Sequence, residues 1–206
     1  KKKRDNKLIL KESEKMKKKS LFIGCLLIIL TTVGACSSKT DEDSNVQSIK
    51  TVLKEALTAP NEQLVNALLY PIENLQSGEE VTESTILKSE KELDTLLKDT
   101  YEDYFTEYGY EKFTIQTSIP INYSLYADGA GYQIIVKNVE VTKDKENPNR
   151  YSFKATLDYT TDEDETKTVV ATGRVEFEDG KIASLDINDD GDLLEKMSTE
   201  AIIVDP

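Results

Sequence analysis

Histidine and tryptophan are absent from this 206-residue chain, and cysteine occurs only at positions 25 and 36. Without histidine there is no usual general base near neutral pH, no commonest zinc ligand, and no Ser-His or Cys-His nucleophile. No Gly-rich phosphate loop, cysteine cluster or nucleophile elbow occurs either. Basic charge is scarce beyond the start. Residues 1–35 hold ten of the 26 Lys and Arg but three of the 39 Asp and Glu, so the remainder carries 16 against 36, a net of minus 20. Such a surface repels phosphate backbones, and no nucleic-acid partner is expected. One domain is expected from the length once the N-terminal segment is set aside.

Apolar runs are also few, and the longest, LFIGCLLIILTTVG at 21–34, follows the basic stretch Met16-Lys17-Lys18-Lys19. As a helix it rises about 21 Å against roughly 30 Å of hydrocarbon, which suits a signal peptide better than a permanent span. Val33-Gly34-Ala35-Cys36 at its end resembles a bacterial lipobox. The resemblance implies diacylglycerol on the Cys36 sulfur, cleavage just before it, and a lipid-anchored protein on the outer face of the cell membrane. Cys25 would leave with the signal peptide, so a disulfide and a catalytic thiol are both excluded on that reading. Residues 1–15 precede a methionine that would itself open such a peptide, and are expected to lie upstream of the true start. The expected organisation is therefore 1–15 upstream sequence, 16–35 signal peptide, 36–47 lipidated cysteine and tether, and 48–206 a single domain. The tether reaches about 18 Å as coil and near 38 Å stretched.

From there to about residue 108 the apolar spacing is helical. Val46, Ile49, Val52, Leu53 and Leu57 predict one helix. Pro60 opens a second with Leu64, Val65, Leu68 and Leu69, which Pro71 is expected to end. A third carries Ile86, Leu93, Leu97, Tyr101, Tyr104 or Phe105, and Tyr108, with Gly109 as its stop. Beyond residue 112 the period is two, in runs beginning at Phe113, Tyr132, Tyr151 and Val169, with KIASLDI as a further strand. The step from Val136 to Val139 shifts the alternation and predicts a bulge. Short separators such as EDG at 178–180 imply antiparallel neighbours.

The expected class is α+β, with N-terminal helices on a curved antiparallel sheet of five to six strands. This order resembles the cystatin-like and nuclear transport factor two-like cone folds. LTAPNEQL, YEDYFTEYGYEKF, GYQIIVKNVEV and INDDG are similar to a group of small Gram-positive lipoproteins, over roughly residues 46–197. That family brings no catalytic residues to carry over.

Two constellations invite chemistry. Asp186, Asn188, Asp190 and Asp192 occupy calcium-loop positions one, three, five and seven in DINDDGDLLEKM, but Met197 stands where the bidentate Glu belongs. The competing reading, which is preferred, is a turn capping a short final helix through Asn188 or Asp189, so no cofactor is expected and calcium is the one candidate. Tyr101, Tyr104, Phe105 and Tyr108 could border a cone cavity for a small amphipathic ligand, or simply pack. No local feature marks an acid–base pair, and the expectation is not an enzyme. A non-catalytic binding or adaptor module of the cell envelope is expected, anchored in the membrane, with an envelope protein or small ligand as partner. The alternative is a small-molecule binder or histidine-free acid/base enzyme using the cone cavity. An open cavity with a convergent carboxylate and phenol would favour the alternative, and a cone filled by Tyr and Phe the adaptor.

Overall fold

The computed structural model describes residues 43–78, 80–161 and 165–203. The expected signal peptide, Cys36 and most of the expected tether lie outside them. The described residues form one compact unit within Asp43–Pro206.

Helix α1, Ser44–Leu57, follows the expected spacing and buries Ile49, Val52, Leu53 and Leu57. It begins at Ser44, two residues before Val46, the first of the periodic apolar positions, and so takes in residues 44–47 at the end of the expected tether. Asp43 is the reason. Its Oδ1 accepts the Asn45 amide at 3.0 Å, a helix cap, while Oδ2 accepts Lys143 Nζ at 3.0 Å and the Tyr151 hydroxyl at 2.8 Å. The Lys143 ammonium, then the Tyr151 hydroxyl, hold the Asp43 carboxyl below its usual 3.8. A depressed carboxylate stabilises the fold above the unfolded value and loses that contribution as pH falls through the folded one. Asp43→Asn is therefore expected to cost stability at neutral pH and to flatten the acid limb of a midpoint-versus-pH curve below about pH 4. Parallel acid limbs for the two proteins would contradict this.

Helix α2 spans Glu62–Gln76 and continues through Pro71, which was expected to end it. Proline removes the bond to the carbonyl four residues back, here Ala67. That carbonyl is taken instead by the buried Ser89 hydroxyl of helix α3, Glu83–Tyr101, at 2.5 Å. Ser89→Ala would orphan a buried carbonyl, and about 1–3 kcal/mol of stability should be lost, measurable by urea unfolding. A loss within error of zero would mean that water replaces the hydroxyl.

Helix α3 ends at Tyr101 rather than at Gly109. After a single 3₁₀ turn, Glu102–Tyr104, Gly109 sits inside helix α4, Glu107–Glu111, whose cap is the Thr106 side chain accepting the Gly109 amide at 3.1 Å. A methyl group at Gly109 would stand 2.4 Å from the Ile182 carbonyl oxygen, so its use is close approach to the sheet and not chain termination. The expected strand from Phe113 is also helical: a π-turn, Lys112–Gln116, leads through Ser118 at φ 49° into helix α5, Ile119–Gly129. Burial explains the error. Neighbours Phe113 and Thr114 are both buried while Ile115 is exposed, the opposite of strand alternation.

Strands β1 (Gln133–Lys143), β2 (Arg150–Thr160), β3 (Thr166–Glu178) and β4 (Lys181–Asp189) pair antiparallel in the order β1-β2-β3-β4. Among the described residues there are four strands, not five to six, because the 113–119 segment is lost to helix. The α+β class stands. The expected bulge appears as a register shift between Val136 and Asn138. The β3–β4 turn puts Asp179 and Gly180 at φ 50° and 79°, as a two-residue hairpin requires. Tyr151, Phe153, Leu157, Val175 and Leu185 fill the inner side, in one core with Ile49, Val52, Leu53 and Leu57 of α1. The last helix, α6, is Leu193–Ile203.

Candidate functional site

Beyond the middle of β4 the sheet edge opens into a cleft of about 380 Å³ between α5 and the start of α6. Ile119, Ile187 and Leu194 supply apolar walls, and the residues from Asp186 to Asp190, with Asp192, supply most of the polar ones. Tyr123 of α5 reaches it from below. Its hydroxyl donates to Asp190 Oδ2 at 2.7 Å, and the same oxygen accepts the Leu194 amide at 3.0 Å. Both bonds fall on Oδ2, leaving Oδ1 without a hydrogen-bond partner among the described residues. Burial, then the adjacent Asp190 carboxylate, pushes the Tyr123 phenol well above its ordinary value, so it stays protonated and acts as a donor. At the rim Lys112 Nζ pairs with Asp186 Oδ1 at 2.6 Å.

The residues singled out for calcium all line this cleft. Their side chains are engaged differently from a metal loop. Asp186 meets Lys112, and Asp190 caps α6, the role expected for Asn188 or Asp189. Asp189 accepts the Gly191 amide at 2.8 Å. Among the described residues no three His, Cys, Asp or Glu side chains are grouped to hold a metal ion. The aromatic set is placed elsewhere. Tyr101 and Phe105 are buried against Phe113, at ring separations of 5.5 and 4.9 Å, Tyr104 is half-buried, and Tyr108 is 65% exposed. None of the four lines the cleft.

Tyr123 was missed because residues 120–127 were assigned to no element, and its partner lies 67 residues away. Pro120, early in the helix, was the available signal. The two criteria set for function are met in different places: the inner face of the sheet is filled, and the open cleft at its edge holds a carboxylate and a phenol.

No family model and no curated protein matches the chain. Among solved structures, a "putative polyketide cyclase" from Xanthomonas campestris pv. campestris is 13% identical, covering 69% of this chain and 98% of its own, at a TM-score of 0.32. Similarly described proteins from Pseudomonas putida KT2440 and Silicibacter sp. TM1040 are 10% and 13% identical, cover 63% and 66% of this chain and 93% and 94% of theirs, and score 0.31 and 0.32. These neighbours are described as enzymes. The expectation of a non-catalytic module is corrected on that finding. No residue roles come from these neighbours.

Proposed function

We propose that the domain binds a small amphipathic molecule in the cleft between α5, the end of β4 and α6, and acts on it by acid–base chemistry with Asp190 as proton acceptor. One observation carries this reading: a buried phenol and a helix amide converge on one oxygen of Asp190 and leave the other available beside apolar walls. A carboxylate so held is oriented before the ligand arrives, which lowers the cost of reaching a reactive geometry. Tyr123 positions it, and Oδ1 takes the proton from a ligand hydroxyl or acidic carbon. Ile119, Ile187 and Leu194 cover the apolar body of the ligand. Helices packed on one face of a single curved sheet support the cone resemblance. The lipobox-like VGAC supports an anchor at Cys36 and a place on the outer face of the membrane.

A panel of small aromatic and aliphatic alcohols and ketones, read by thermal midpoint and by loss of a labelled α-proton, tests the proposal. Midpoint rises and proton exchange that Asp190→Asn abolishes are expected. A panel with no member that shifts the midpoint would end the reading.

A further inference from the structure

Helix α4 and the π-turn after it present Tyr108, Lys112 and Ile115, three to four residues apart, along the β4 edge. The adjacent Gly109 packs against the Ile182 and Ala183 carbonyls. Tyr108 and Ile115 are 65% and 64% exposed, among the most exposed large apolar side chains described. Lys112 between them reaches Asp186 at the cleft rim, and Thr117, two residues beyond Ile115, lines the cleft. This strip therefore borders the cleft mouth.

The chain enters the domain at the same end of the sheet, though over its β1–β2 edge. Asp43 is held by Lys143 and Tyr151 at the end of the sheet where β4 begins, the end that Phe105 bridges at Ile182. Seven residue steps separate Cys36 from Asp43, about 24 Å at full extension, so an anchor at Cys36 keeps this end of the domain within reach of the bilayer. Tyrosine and an aliphatic side chain on one helical face suit the headgroup boundary, with the tyrosine tip in water and isoleucine below, while Lys112 stays paired with Asp186. The domain is strongly acidic, so contact through these residues is apolar and favours a zwitterionic surface over an anionic one.

We propose that the Tyr108–Lys112–Ile115 strip rests on the lipid surface that holds the anchor, so that the cleft takes its amphipathic ligand from the membrane rather than from bulk water. This rests on the anchoring at Cys36 proposed above. The chain lacks tryptophan, so single indole reporters are clean. Tyr108→Trp, Ile115→Trp and, as control, Val170→Trp on the outer face of β3 would be introduced into the mature lipidated protein and reconstituted in phosphatidylcholine vesicles. The first two reporters should shift to shorter wavelength and be quenched by lipids brominated near the headgroup, and the third should do neither. Flotation with vesicles while all three reporters behave alike and unquenched overturns the seating and leaves the anchor standing. A shift that needs no lipid and grows with protein concentration assigns the strip to a second copy of the chain, which also overturns it. Failure to float removes the anchor and this inference with it.

Discussion

Gly173→Ala is expected to be among the most damaging small substitutions in the domain, lowering stability by about 3 kcal/mol, the upper part of the usual overpacking range. A methyl group there would lie 2.1 Å from the Asp186 carbonyl oxygen and 2.5 Å from Cζ of Phe153. Neither neighbour yields easily, since one is strand backbone and the other is a buried ring. The register between β3 and β4 shifts between Thr172 and Gly173, which draws β4 close over the glycine. For a domain of this size about 3 kcal/mol corresponds to roughly 6–12 °C in thermal midpoint. Gly180→Ala makes the comparison: it meets open space but holds φ 79°, and should cost only about 1–2 kcal/mol. Equal midpoints for the two variants would refute the packing argument. Because Asp186 is a wall of the cleft, the Gly173 variant should also weaken ligand binding.

Asp190→Ala should be nearly as costly for a different reason. It removes the side chain that caps α6, worth about 1 kcal/mol, and leaves the 1% exposed Tyr123 hydroxyl unpaired, worth about 1–3 kcal/mol. The expected total is about 2–4 kcal/mol. Tyr123→Phe should cost somewhat less, about 1.5–3 kcal/mol, because Asp190 keeps the Leu194 amide and can recruit water. The double variant should fall short of the sum of the two, since each single change already breaks the shared bond. Asp190→Asn separates fold from chemistry. Asparagine caps helices as well as aspartate does and still accepts from tyrosine, but it is no base. Near-native stability with proton exchange lost is the expected pair of results, and full exchange by this variant would remove Asp190 from the reaction.

Most of the sheet was legible in the residue order. Tyr151, Phe153, Ala155, Leu157 and Tyr159 alternate with polar neighbours, and all five are buried on one face. The bulge after Val136 was readable for the same reason, since one extra residue inverts every later side chain. Helices α1 and α2 were legible from threes and fours. The segment from Phe113 to Ile119 was not, because its apolar residues fit a period of two while its contacts impose a helical path. Thr114 and Thr117 reinforce that path by donating back to the carbonyls of Tyr110, Lys112 and Phe113.

The candidate site was legible by half. DINDDG stood out as a concentrated acidic turn, and its residues do line the cleft. What the turn does depended on Tyr123 and Lys112, which arrive from 67 and 74 residues away and single out Asp190 and Asp186 from their neighbours. Pro71 and Gly109 carry the same lesson. Each was read as a chain breaker from its own backbone, and each is accommodated by a distant partner, the Ser89 hydroxyl for one and the Ile182 carbonyl for the other.

Periodicity and local turn chemistry were enough to establish the α+β class and the antiparallel runs of β1 to β4, though not the strand count, because those runs follow from contacts between near neighbours and from keeping apolar side chains out of water. The helical course of 112–129, the capping of α6 and the pairing of one carboxylate with a phenol came only with the folded chain. Such choices rest on single hydrogen bonds and on sub-ångström clearances between residues far apart in sequence, and no local pattern encodes them.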